Sequence, residues 1–153
     1  MSEESGLIVF LGGTCNNSKW RDELIPKLNV MYFNPVVEIW DEEAQLREEE
    51  AKANAKYDLY VITPKMKGLF SIAELVDDSN KRPDSTIICM LKEYDGESFD
   101  EHTWKSVRAI EAMTRVNGAK IFHSLDDVAN FLNNHDKPNY LEELYRASKR
   151  NRL

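Results

Sequence analysis

Cysteine is scarce in this 153-residue sequence, and so is histidine. Cys15 and Cys89 stand far apart and belong to no C-x-x-C or Cys/His ligand spacing, so they read as buried or reduced thiols. His102, His123 and His135 form no metal pattern and read as surface or helix-end residues. No apolar run approaches the ~20 residues that a membrane span needs. The opening Met1-Ser2-Glu3-Glu4-Ser5 is acidic where a secretory signal would be basic, so a cytoplasmic chain is expected. Positive charge is in deficit, and the net charge of −7 argues against binding a nucleic-acid polymer through phosphate neutralisation. A small anion remains possible, because N–H groups at a helix start hold one without net positive charge. The basic tail from Arg146 to Arg152 reads as a solvated helix end. Neither G-x-G-x-x-G nor a Gly-Lys-Ser/Thr loop occurs, which excludes a dinucleotide fingerprint and a P-loop. No linker, repeat or low-complexity segment divides the chain, so one domain over residues 1–153 is expected.

What is present is alternation. Leu7 to Leu11 is an unbroken apolar run ended by Gly12-Gly13, as in a strand buried on both faces. Lys19 to Leu28 carries Trp20, Leu24 and Leu28 on one helical face. Val30 to Phe33 reads as a second strand and Asp41 to Lys56 as a charged helix with Ala44, Ala51 and Ala55 as packable positions. Leu59 to Ile62 is a third strand, Ser71 to Val76 a helix, and Thr86 to Leu91 a fourth strand. His102 to Arg115, with Val107, Ile110 and Met113 at helical spacing, stops at Asn117-Gly118. Ala119 to Phe122 is a fifth strand, Ser124 caps a helix through Leu132, and Tyr140 to Lys149 is a terminal helix. Strands separated by helices, with no tight hairpin, imply right-handed crossovers and a five-stranded parallel sheet.

Ligands of such sheets bind outside the carboxyl ends of the strands, which singles out four segments. The loop from Gly12 to Ser18 has paired glycines that let backbone approach a hydroxyl or phosphate, although a Gly-Gly after a strand is equally a tight turn. Asn34 and Trp40 offer an amide and a ring to a planar base; alternatively, Trp40 packs the start of the next helix. In the third segment, Glu74 stands three residues after Ser71, the spacing of a capping box, and local pattern favours that cap over a carboxylate facing a ligand. The fourth segment, Lys92 to Thr103, carries no pattern of its own.

Phe10-Leu11-Gly12-Gly13-Thr14, Tyr32-Phe33-Asn34-Pro35-Val36-Val37, Asp58-Leu59-Tyr60-Val61-Ile62-Thr63-Pro64 and Ser71-Ile72-Ala73-Glu74 resemble, in this order, a branch of the nucleoside 2-deoxyribosyltransferase family. The resemblance covers the first two thirds of the chain. It implies an α/β, flavodoxin-like (Rossmann-like) three-layer sandwich and cleavage of a deoxynucleoside N-glycosidic bond without a cofactor. It also implies homo-oligomers, because family members complete one subunit's site with residues from another. The family's nucleophile, a Glu early in the helix after the third strand, falls on Glu74. Its acid, in the helix before that strand, falls on Glu50, or on Glu49 if the register slips. Beside the resemblance, the residues themselves lead us to expect the Gly12 to Ser18 backbone, with Gly12, Gly13 and Thr14, on sugar or phosphate, Asn34 and Trp40 on the base, and Ser71 in contact with substrate. Two features depart from the family. Gly68 stands six residues before the nucleophile, where the family carries an Asp for sugar hydroxyls. No clear match exists for the residue lent to a neighbouring subunit, for which Asp100 and His102 are the nearest candidates.

Three functions fit: transfer of a deoxyribosyl group between bases, hydrolysis of a deoxynucleoside 5′-monophosphate with the Gly12 loop on the phosphate, and a non-catalytic nucleotide-binding module, for which Gly68 argues. Each takes a small nucleoside or nucleotide as partner.

Overall fold

Residues 6–15, 18–137 and 147–149 are described by the computed structural model. In chain order its strands are β1 (Leu7–Gly13), β2 (Met31–Phe33), β3 (Tyr57–Ile62), β4 (Thr86–Met90), β5 (Glu93–Tyr94), β6 (Glu97–Ser98) and β7 (Lys120–Phe122). Its helices are α1 (Trp20–Leu24), α2 (Glu42–Asn54), α3 (Phe70–Lys81), α4 (Glu101–Asn117) and α5 (Leu125–Asn133). Five strands form an all-parallel sheet in the order β2-β1-β3-β4-β7. This is the doubly wound, flavodoxin-like order, whose direction of winding reverses between β1 and β3.

Period-two alternation divides the core between the two faces of the sheet. Val9, Leu11, Leu59, Val61, Ile87 and Cys89 point to one side and pack on Trp20 and Leu24 of α1 and Val128 and Leu132 of α5. Tyr60, Ile62, Ile88 and Met90 point to the other side, against Leu75 of α3 and Val107 of α4. Phe10 shares that second face and packs on Ala51 of α2 and on Ala55. The alanines expected to be packable on this charged helix are indeed the buried ones. Small side chains let α2 lie close to the sheet while most of its Glu residues remain in water.

Several local expectations need correction. The helix expected through Leu28 ends at Leu24 and tightens into a 3-10 turn over Ile25–Lys27, because Pro26 has no N–H to continue the ladder. α3 runs on to Lys81, past Val76. On α4, Val107 is buried and Ile110 packs on the core, but Met113 is 55% exposed. Glu111 takes the interior place, accepting from Arg115 Nη2 and pairing with His123 Nε2, each at 2.8 Å. A tight antiparallel hairpin, β5–β6, follows β4, turning on Asp95 (φ 50°) and Gly96 (φ 79°), both in the left-handed region. The Asn117-Gly118 stop forms as expected, with Gly118 left-handed at φ 112°, and Ser124 Oγ accepts from the Asp127 N–H at 3.1 Å. Tyr140 to Arg146, most of the expected terminal helix, lies outside the described residues, as do Asn16 and Asn17. No helix among the described residues is long and apolar enough to cross a membrane.

Candidate active site at the carboxyl edge of the sheet

The β1 loop is fixed from below. Gly13 adopts φ 114°, and a Cβ there would sit 2.2 Å from the Val61 carbonyl oxygen. Only glycine lets β1 stay this close to β3 as the chain turns out of the sheet. Thr14 follows, 3% exposed and bonded on every side. Its N–H donates to Val61 O (2.8 Å), and its hydroxyl accepts from the Thr63 N–H (3.1 Å). Its carbonyl accepts from Trp20 Nε1 (2.8 Å) and Arg21 Nη1 (3.0 Å). Arg21 is itself buried, donates its Nε–H to Leu11 O (3.0 Å), and approaches Cys15 Sγ at 3.6 Å. Burial pushes its guanidinium down from its ordinary pKa, while Cys15 and, more remotely, Glu48 act in the opposite direction.

Two adjoining cavities open above this floor, sharing Phe70 as a wall. The smaller, about 190 Å³, lies between the β1 loop (Gly13, Thr14, Cys15) and the loop after β3 (Met66, Gly68), with Ser71 at its edge. A Cβ on Gly68 would meet nothing within 4 Å, so this side of the cavity is open. The larger cavity, about 440 Å³, lies between α2 and α3. Gln45, Glu48, Glu49 and Lys52 line it from α2, at the i, i+3, i+4, i+7 spacing of a single helical stripe. Trp40 stands at the mouth, 61% exposed, and Glu74 faces them from α3.

Glu74 makes no helix cap. α3 begins at Phe70, its N-cap is Leu69, and no side-chain cap bond forms. Ser71 therefore sits inside the first turn, where Ser71-x-x-Glu74 is out of register for a capping box. Glu74 instead reaches across to α2, where Lys52 Nζ donates to Oε2 at 2.8 Å. The same ammonium lies 3.6 Å from Asp78 Oδ2, one turn further along α3, and 5.4 Å from the centroid of the Tyr60 ring. Tyr60 donates its hydroxyl to Asp78, and burial first, then Asp78, pushes the phenol's pKa up so that it stays a donor. The site thus presents a carboxylate gripped on one oxygen by an ammonium, facing further carboxylates across an open cavity. That composition suits attack on an electrophilic carbon with proton transfer from the opposite wall.

A family model described as nucleoside 2-deoxyribosyltransferase like matches residues 6–94, more than half of the chain. The chain belongs to that family. No curated protein and no solved structure matches it. The matched nucleoside 2-deoxyribosyltransferase-like segment runs from the start of β1 into the β5–β6 hairpin and contains every residue lining the two cavities. Membership implies a small nucleoside substrate.

The candidates read from the sequence separate on this framework. Gly13, Thr14, Ser71, Trp40 and Glu74 line the joined cavities. Gly12 lies one residue deeper in β1, where an added Cβ would come 2.9 Å from Leu59 O. Asn34 is not on either cavity; its Oδ1 accepts from the Val36 N–H at 3.1 Å and shapes the turn after β2. Glu50 is exposed and off the lining stripe, whereas Glu49, one residue earlier, is on it. Asp100 caps α4, accepting from the Thr103 N–H at 2.7 Å, and that bond lowers its pKa. His102 is an exposed residue in the first turn of the same helix. Lys52, Glu48, Gln45 and Phe70 lie beyond the sequence reading. The only signal for the first three was the stripe from Gln45 to Lys52 on α2, which in so charged a segment reads equally as a solvated face; Phe70 lies outside it, at the start of α3.

Proposed function

We propose that this protein transfers a 2-deoxyribosyl group between nucleobases through a covalent ester on Glu74. The observation that carries the reading is the placement of Glu74: free of any capping bond, held through Oε2 by Lys52, and facing a cavity with an aromatic mouth. The Gly13-Thr14 turn and Ser71 receive the sugar in the smaller cavity, and the base lies in the larger one against Trp40. Base stacking on an exposed indole is favourable without base-specific contacts. Glu49, on the stripe that faces Glu74, takes the acid role in preference to Glu50. It protonates the departing base while Glu74 attacks the anomeric carbon, and it removes a proton from the incoming base.

A second reading, hydrolysis of a deoxynucleoside 5′-monophosphate, is favoured by one feature. Arg21 lies directly under the β1 loop with carbonyl and thiol partners, so its charge is directed at whatever the loop holds. Among the described residues it has no carboxylate within 4 Å. In either reading the protein assembles as a homo-oligomer, with exposed Met31, Tyr32, Ile39 and Trp40 as the apolar surface beside the site.

A panel of deoxynucleosides and their 5′-monophosphates, incubated with and without free acceptor base, separates the readings by product. Base exchange supports transfer, and free sugar phosphate supports hydrolysis. Absence of turnover would leave a binding module, with open Gly68 as the natural explanation. Glu74→Gln is expected to abolish turnover and preserve ligand affinity, since an amide forms no glycosyl ester. A variant with undiminished turnover removes Glu74 from the chemistry.

A further inference from the structure

Lys52 faces two carboxylates that stand one turn apart on α3, and the two are held differently. Its Nζ is 2.8 Å from Glu74 Oε2 and 3.6 Å from Asp78 Oδ2, with the side chain 25% exposed. Asp78 also accepts the Tyr60 hydroxyl. Glu74 Oε1 accepts no hydrogen bond among the described residues. One oxygen of the proposed nucleophile is therefore tethered and the other is unengaged.

We propose that Lys52 is a positioning residue that moves between Glu74 and Asp78 as the charge on Glu74 disappears and returns. The proposal rests on Glu74 being the nucleophile. In the first step the bond from the anomeric carbon to the base nitrogen breaks, and its electron pair leaves with the base, which takes a proton from the acid on α2. Glu74 Oε1 bonds to the anomeric carbon, and the carboxylate loses its charge. The ammonium then lies beside a neutral ester and an ionised Asp78 already within 3.6 Å, so it shifts to Asp78. In the second step the acceptor nitrogen bonds to the anomeric carbon and gives its proton to the α2 carboxylate. The electron pair of the ester bond returns to Glu74. Negative charge grows on Glu74 in this step, and Lys52 comes back to meet it.

Lys52 consequently acts most on release of the ester. Interactions that strengthen as charge develops lower a barrier, whereas equal interactions in ground and transition states do not. In the first step Lys52 binds the carboxylate most strongly before it reacts, which slows attack but orients Oε1. In the second it stabilises the leaving carboxylate, and a charge-assisted hydrogen bond of this kind corresponds to about ten- to a hundredfold in rate.

The test uses the full chain, with Lys52→Met and Lys52→Arg beside the wild type. The substrate is whichever of the four common deoxynucleosides releases base fastest. Rapid quenching measures base released in the first turnover, and intact-mass analysis measures the fraction of protein carrying deoxyribose at steady state. Lys52→Met is expected to keep a first-turnover burst while kcat falls about ten- to a hundredfold and the ester accumulates, lowering KM with kcat. Lys52→Arg is expected to restore most of the kcat. Parallel loss of burst and kcat without accumulation, equal loss in both variants, or a Lys52→Met enzyme like wild type each overturns the proposal. An ester on Glu74 in the wild type with any of these results removes Lys52 alone. If the wild type forms no ester at all, the nucleophile reading falls and this inference with it.

Discussion

Replacing Gly13 with alanine puts a number on how tightly the candidate site is built into the sheet. At φ 114° an L-residue is strained, and that region costs a side chain about 1–2 kcal/mol. The added Cβ would also stand 2.2 Å from Val61 O and 2.5 Å from Val61 N, both backbone atoms of the central strand. Neither can rotate away, so β1 and β3 must separate. Separation breaks the 2.8 Å bond from the Thr14 N–H to Val61 O, worth about 1 kcal/mol net. The total is about 2–3 kcal/mol, a large share of a domain's typical ~5–15 kcal/mol. For a chain of this length it lowers Tm by about 4–12 °C. Two neighbouring glycines serve as controls. Gly12→Ala brings a Cβ within 2.9 Å of Leu59 O without the left-handed φ, so its cost is expected to be smaller. Gly68→Ala meets nothing within 4 Å and is expected to be neutral or slightly stabilising, since it restricts the unfolded chain. Urea unfolding followed by fluorescence, to which buried Trp20 contributes, measures all three. A Gly13→Ala variant within about 0.5 kcal/mol of Gly68→Ala would refute the reasoning.

Other expectations follow from single features. Iodoacetamide applied to the native protein is expected to label Cys15, which is exposed, and not Cys89, which is fully buried with its thiol pushed up to about 12 by burial. Peptide mapping before and after unfolding checks this, and equal native labelling contradicts it. Arg82→Met strips the partner from Asp58, a carboxylate 1% exposed at the start of β3. The loss is expected near about 3 kcal/mol, the low end for a buried pair because Arg82 is partly open to water; an unchanged urea midpoint would show that water replaces it. Light scattering is expected to give a mass above that of one chain, and Ile39→Lys, at a position 79% exposed, to lower it. A monomeric wild type at micromolar concentration contradicts the assembly.

The sheet was legible because parallel strands buried on both faces must be continuous apolar runs, and Leu7 to Leu11, Leu59 to Ile62 and Thr86 to Leu91 are such runs. Helix ends marked by Ser124 and Gly118 were legible for a similar reason, since their chemistry is local. Reading failed where a local signal competed with a distant partner. Ser71 and Glu74 satisfy the spacing of a capping box, but the strongest partner of Glu74 lies 22 residues earlier on another helix. Three consecutive acids, Glu48-Glu49-Glu50, hide which of them faces inward until α2 is docked and its rotation fixed by Ala44 and Ala51. The hairpin at Asp95-Gly96 carried a turn signal, but two-residue strands are too short to alternate.

Thr14 carries four hydrogen bonds to three different parts of the chain: β3, the loop after it, and two side chains of α1. It is therefore a mechanical rivet. The β1 loop and the Thr63 loop cannot be displaced separately without unloading it, so a ligand that presses on one transmits force to the other and to α1. Lys65, two residues after Thr63, extends this frame to the β5–β6 hairpin through a 3.1 Å ion pair with Asp95. That outer joint is the softer one, because Asp95 is 45% exposed and its charge is screened. Raising the ionic strength should thus weaken that Lys65–Asp95 joint first, while the glycine turn and the floor beneath the smaller cavity keep their geometry.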